Sequence, residues 1–283
     1  MFIISNTELK LSIIDPNADK VLLGSRYCTG GYIWQIEDTE NGPLLTGPQY
    51  PSATPLPFHG QGAPEAFVTP LGNDDVPVGE IVTVIGVGEV LRTSGNRPFH
   101  VRDNPTVRRF CTWTVKQDNE TIIMTTDQIS GEYALTLTRR VSLDGRTVTS
   151  YTEVINQSSV TLSLSWFPHP FFPPSSDGRC CRFVADWSVP ENNGYYRDNQ
   201  GCLRMKREYP WKKGLFQQLE ISSGEKLAAE VQHHAVGSVS VSTDYQLAAL
   251  PVWANAVTFS PEPYLYRVIA AGEVCGWKIF YRF

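Results

Sequence analysis

Residues 132–156 read "EYALTLTRRVSLDGRTVTSYTEVIN", and no other stretch constrains the fold of this chain as tightly. Side chains alternate with a period of two, which puts Tyr133, Leu135 and Leu137 on one face and Ala134, Thr136 and Thr138 on the other. Asp144-Gly145 interrupts the run where a hairpin must turn, so two antiparallel strands are expected. The C-terminal "EVCGWKIFYRF" alternates in the same way, with Cys275, Trp277, Ile279, Tyr281 and Phe283 sharing a face. The N-terminal "MFIISNTELKLSIIDPNADK" also alternates and carries no basic leader, so it is expected to form strand rather than a signal peptide. No long run has helical periodicity. "ISSGEKLAAEVQHH" comes nearest, but its glycine and the strand-like "VGSVSVSTD" that follows weaken it. The 20 prolines and 22 glycines imply many turns, and 41% hydrophobic residues are enough for a substantial core. The expected fold is all-β, a large antiparallel β-sandwich. There is no internal repeat and no low-complexity linker, so residues 1–283 are expected to form a single domain. The Pro- and Gly-rich residues 42–80 are expected to be an ordered loop system lying over one sheet.

Charge and motif content exclude several functions. A net charge of −5 and a pI near 5.6 argue against a nucleic-acid partner, which needs a clustered positive field. No apolar run is long enough to span a bilayer, and a cytoplasmic protein without membrane partners is expected. The six cysteines are scattered without a Cys-x-x-Cys pair and are expected to be reduced, with Cys180 and Cys181 as packing residues. There is no Walker loop, no Gly-x-Ser-x-Gly elbow and no His-Glu-x-x-His helix. His233 and His234 are adjacent, so in a strand they should point to opposite faces, one packed and one exposed. No metal or cofactor is expected.

Two proline-framed side chains stand out. "WFPHPFFPP" at 166–174 sets His169 between Pro168 and Pro170, and "SPEP" at 260–263 sets Glu262 between Pro261 and Pro263. Proline fixes φ and removes a ladder donor, so each bracket marks a strand end that presents one side chain stiffly. Val160, Leu162, Leu164 and Trp166 form the apolar face of the first segment, which leaves His169 on the polar face with Ser163 and Ser165. In the second, Thr258, Ser260 and Glu262 share the face opposite Val257, Phe259 and Pro261. An imidazole and a carboxylate converging on one substrate are the minimum set for paired general acid–base catalysis. The residues alone leave a structural role for the histidine and for the glutamate open.

At these motifs the chain resembles the galactose mutarotase-like aldose 1-epimerases, through His169-Pro170-Phe171-Phe172 and the late Glu262-Pro263. The resemblance extends over nearly the whole chain. It implies an all-β supersandwich with a sugar cleft on its concave face, acting on a small-molecule sugar without metal or cofactor. It also implies roles: Glu262 as the base that takes the C1 hydroxyl proton, His169 as the acid that protonates the ring oxygen and opens the pyranose. These roles require His169 protonated while Glu262 is ionised near neutrality, a state that an imidazole of ordinary pKa and a nearby carboxylate can share.

The chain departs from that family at other positions. It lacks the Asn-Arg-Ile and Leu-His-Gly-Gly segments of typical members; the nearest counterparts are Phe58-His59-Gly60-Gln61-Gly62 and Pro98-Phe99-His100-Val101-Arg102. Their spacing is similar to a sugar-6-phosphate epimerase branch, although His59 stands where that branch has arginine. Arg102, Arg108 and Arg109 offer a phosphate site. His59, Glu65 and His100 are the candidates for hydroxyl contacts, and Trp34, Trp166 and Trp253 for stacking on a sugar ring. No sugar-binding aspartate is found between His169 and Glu262, where "LFQQLE" offers glutamines. The function classes in view are a 1-epimerase of a free sugar or sugar phosphate, and a carbohydrate-binding module that keeps the cleft without turnover.

Overall fold

The computed structural model describes residues 1–72, 75–222 and 224–283. Asn73 and Asp74, in the 42–80 loop segment, and Ser223, in the stretch nearest to a helix pattern, lie outside the described residues. The alternating hairpin forms as strands Tyr133–Asp144 and Thr147–Asn156. Its turn is shifted by one residue: Asp144 pairs with Thr147, and Gly145-Arg146 make the two-residue loop. Gly145 takes φ +52° there, at the first central position, the only one needing a positive φ.

These two strands lie in a ten-stranded antiparallel sheet among the described residues. Thr147–Asn156 also pairs with the C-terminal strand Val274–Arg282, which next pairs with Gly237–Gln246. Lys226–His233 pairs with Gly237–Gln246, so the segment closest to a helical pattern is a strand, as its continuation suggested. Among the described residues helix is limited to two single 3-10 turns, Lys20–Leu22 and Trp211–Lys213, and no helix is long and apolar enough to cross a membrane.

Smaller sheets pack against the large one. Leu265–Ile269, Leu162–Pro168 and Glu65–Phe67 form one; Trp187–Ser188, Leu215–Ile221, Leu250–Ala254 and Phe259–Pro261 form another. Bridges at Phe172–Phe259 and Ala249–Tyr264 tie these two sheets together. The core fills the space between the layers, where the buried rings of Trp166 and Trp277 meet edge to face at 5.5 Å. The sandwich read from alternation is therefore present. All six cysteines are free, and burial pushes the Cys180 and Cys181 thiols well up, so both are inert packing groups. His233 is buried and His234 exposed, but their rings stack 5.0 Å apart because the strand ends at His233. His233 Nε2 meets the Leu44 carbonyl at 2.9 Å.

Candidate active site

The proline frame around His169 follows from the hydrogen-bonding register. His169 N–H donates to the Pro64 carbonyl and Phe171 N–H to the Gly62 carbonyl, both at 2.8 Å. Pro168 and Pro170 occupy the alternate positions, whose N–H groups would point away from that neighbour. The second frame repeats the pattern: Glu262 N–H donates to the Pro251 carbonyl and Tyr264 N–H to the Ala249 carbonyl, each at 2.9 Å, with Pro261 and Pro263 at the alternate positions. Prolines here cost no ladder bond on that side and hold the intervening side chains in fixed directions.

The two frames converge. His169 Nε2 lies 3.3 Å from Glu262 Oε1, and His169 Nδ1 lies 2.7 Å from Ser260 Oγ. Ser260 and Glu262 share a face, as the alternation predicted, and that face looks onto the imidazole. The expectation of a solvated polar face is overturned, since His169 is 2%, Glu262 3% and Ser260 0% exposed. Aromatic rings enclose the histidine: Phe171 at 4.3 Å, Phe167 at 5.8 Å, Trp253 at 6.0 Å and Tyr27 at 6.2 Å between centroids.

That enclosure sets the protonation states. Burial pushes the Glu262 carboxyl up to about 7, against a smaller downward pull from the Arg26 guanidinium. Burial likewise drives His169 well below the ordinary imidazole value, and Arg26 adds to the effect. These shifts favour a protonated Glu262 beside a neutral imidazole below pH ~7, the reverse of the distribution expected from ordinary pKa values.

His169 and Glu262 open onto a cleft of about 550 Å³, a size suited to a small molecule. His59 and His100 line it, as does Trp253. Glu65 does not. It starts the strand Glu65–Phe67 opposite Pro168, and alternation turns Ala66 to the cleft and Glu65 to the interior of the sandwich. There its Oε2 is 2.5 Å from Arg139 Nη1, and Ser150 Oγ donates to its Oε1 at 2.6 Å. Trp166 is in the core, and Trp34 packs beside Tyr32 away from the cleft lining. Of the three candidate phosphate-binding arginines only Arg102 lines the cleft, while Arg109 pairs with Glu89. Of "LFQQLE" the cleft receives Phe216, not a glutamine.

Sequence reading missed Arg26, Lys213, Phe216 and Tyr264, all of which line the cleft. Arg26 sits in the irregular segment "GSRYCTGG", with no periodicity to orient it. Its guanidinium lies over the rings of Tyr27 and Phe58, at 4.8 and 5.0 Å, and Nη1 donates to the Phe58 carbonyl at 3.3 Å. Among the described residues no group of three or more His, Cys, Asp or Glu side chains is arranged to hold a metal ion.

Comparison with solved structures places the fold in a known architecture. A galactose mutarotase related enzyme from Lactobacillus acidophilus superposes with a TM-score of 0.60 at 12% identity, covering 100% of this chain and 97% of that one. The chain has the galactose mutarotase-like fold. A galactose mutarotase-like protein from Lactobacillus casei superposes with a TM-score of 0.58 at 13% identity, covering 100% and 99%. An aldose epimerase homologue from C. elegans gives 0.57 at 11% identity, covering 99% and 97%. The galactose mutarotase-like fold is thus matched from end to end. No family model matches the sequence, and no curated protein matches it.

Proposed function

We propose that the protein is an aldose 1-epimerase that interconverts the α and β anomers of a sugar by acid–base ring opening. The observation that carries this reading is the His169–Glu262 contact, buried at the wall of a cleft of small-molecule size. The residues lining that cleft run from Arg26 to Tyr264, which supports treating residues 1–283 as one domain. The pair holds one transferable proton. With it on His169, Glu262 takes the C1 hydroxyl proton while Nε2–H protonates the ring oxygen; the C1–O5 bond breaks and C1 becomes the aldehyde carbon. Glu262 then carries the proton and His169 is neutral. After rotation about C1–C2 the reverse transfers close the ring on the other face. The upward shift of Glu262 and the downward shift of His169 favour the second of these two forms. Polarimetry of freshly dissolved α-glucose and α-galactose should show faster loss of rotation with the protein than without it; equal rates for every aldose tried would leave a sugar-binding module as the reading.

The pH dependence follows from the pair. Activity requires one proton on the pair, and Glu262 loses it as pH rises through about 7. Gaining a second proton requires protonated His169, which burial opposes until well below the ordinary imidazole range. The expected kcat/KM profile therefore falls above pH ~7 and stays flat on the acid side past ~6.5. A profile that rises through neutrality would contradict it.

A second reading concerns the substrate's charge. Arg26, Arg102 and Lys213 line the cleft, whereas among the described residues Glu262 is its single carboxyl group, in a chain of net charge −5. That balance favours a sugar bearing a phosphate, for which a guanidinium fork is suited. Substituting Arg26→Met should then raise KM for a hexose 6-phosphate by 10-fold or more while changing KM for the neutral hexose less than about 3-fold, as measured by the same polarimetric assay.

A further inference from the structure

Ser260 is buried, with its Oγ 2.7 Å from His169 Nδ1, on the side of the ring opposite the Nε2–Glu262 contact. In both forms of the acid–base pair described above, the nitrogen that gains and loses a proton is Nε2. A neutral imidazole with bare Nε2 carries its hydrogen on Nδ1, and the imidazolium carries hydrogen on both. Nδ1 is therefore a donor throughout the cycle, and a buried donor needs a fixed acceptor. We propose that Ser260 is a positioning residue: its Oγ accepts the Nδ1–H bond in every state, which confines the mobile proton to Nε2 and fixes the ring plane toward Glu262.

This proposal rests on the epimerase reading, and the structure supplies its physical basis. Ser260 lies in the short strand Phe259–Pro261, which pairs with Leu250–Ala254, so its backbone is anchored independently of the histidine. It precedes Glu262 by two residues on the same face, so one strand end supplies both the acceptor for Nδ1 and the partner for Nε2. Among the described residues the hydrogen-bond contact at Nδ1 is with Ser260, while the rings of Phe171, Phe167, Trp253 and Tyr27 pack around the imidazole.

The test combines a tautomer measurement with kinetics. Nitrogen-15 NMR of the intact protein near pH 7, with histidine labelled, should show His169 Nδ1 protonated. In Ser260→Ala the ring should lose that preference and show a mixture of tautomers. The expected kinetic effect is a fall in kcat of about 10- to 100-fold, the usual scale for losing a partner that orients a working histidine. KM should change by less than about 2-fold, because Ser260 does not line the cleft. Ser260→Thr, which keeps the hydroxyl, should retain the Nδ1–H tautomer and most of kcat. A bare Nδ1 in the unsubstituted protein overturns the proposal, as does a Ser260→Ala variant with undiminished kcat. The tautomer is read without turnover, so absence of anomer exchange in the unsubstituted protein defeats the epimerase reading separately.

Discussion

Glu262→Gln is expected to lose activity and gain stability at the same time. Removing a positioned proton-transfer group lowers kcat by about 10²- to 10⁴-fold, and glutamine keeps the shape of the side chain without its exchangeable acid proton. The stability effect follows from the upward displacement of the carboxyl from 4.5 to about 7. A carboxyl whose folded pKa is raised binds its proton more tightly in the native state, so its contribution is neutral below the unfolded value. Stability then falls as pH rises from ~4.5 to ~7, by up to about 3 kcal/mol in total. Glutamine, which does not titrate, avoids that loss. The variant should melt at a similar temperature to the parent near pH 4.5 and several degrees higher at pH 8. His169→Asn should lose kcat on the same scale but leave a void among Phe171, Phe167 and Trp253, and so lose stability. Circular dichroism melts at the two pH values, with kcat per folded molecule, check both. A Glu262→Gln protein that is destabilised and fully active would show that the glutamate serves packing.

Glu65→Ala is expected to act in the opposite way, costing stability while sparing catalysis. Glu65 and Arg139 are 3% and 1% exposed, and the carboxylate is the charge partner of the buried guanidinium. Ser150 Oγ bridges them, accepting from Arg139 Nη2 at 2.9 Å and donating to Glu65 Oε1 at 2.6 Å. Removing one partner strands a buried charge, which costs about 3–5 kcal/mol. In a chain of 283 residues that corresponds to a fall in Tm of roughly 5 to 8 °C. The double variant Glu65→Leu/Arg139→Met removes both charges and should recover most of the loss. Below the melting transition, kcat and KM of Glu65→Ala should stay within about 2-fold of the parent, because the side chain faces the sandwich interior rather than the cleft. A KM increase of 10-fold or more with unchanged Tm would restore Glu65 as a hydroxyl contact.

The pattern of what sequence revealed follows the physics of strands. Period-two alternation is local, so it identified the hairpin at 133–156, the C-terminal strand and the shared face of Ser260 and Glu262 before any tertiary information. The prolines around His169 and Glu262 were legible for the same reason, since a residue without N–H restricts where a strand can pair. Burial of the pair was not legible. Ser163 and Ser165 marked that face as polar, but beyond Phe167 the rings of Tyr27, Phe171 and Trp253 enclose His169. Glu65 illustrates a different limit. Its Gly- and Pro-rich surroundings suggested an ordered loop that turns Glu65 to the cleft, whereas three residues of strand suffice to direct its side chain toward Arg139. Arg26 carried no signal at all, because its place depends on Tyr27 and the distant Phe58 coming together in the fold.

The central claim is that the His169–Glu262 cleft opens and recloses a sugar ring at C1. Saturation-transfer NMR on equilibrated aldoses in deuterated water tests it directly, because it reads the rate of anomer exchange and reports whether hydrogen at C2 is retained. The account predicts that the protein accelerates exchange between the α and β C1 signals of at least one neutral or phosphorylated hexose, without deuterium entering C2, and that Glu262→Gln abolishes the acceleration. Exchange at the rate of buffer alone with every such sugar, or acceleration that persists undiminished in Glu262→Gln, would contradict it.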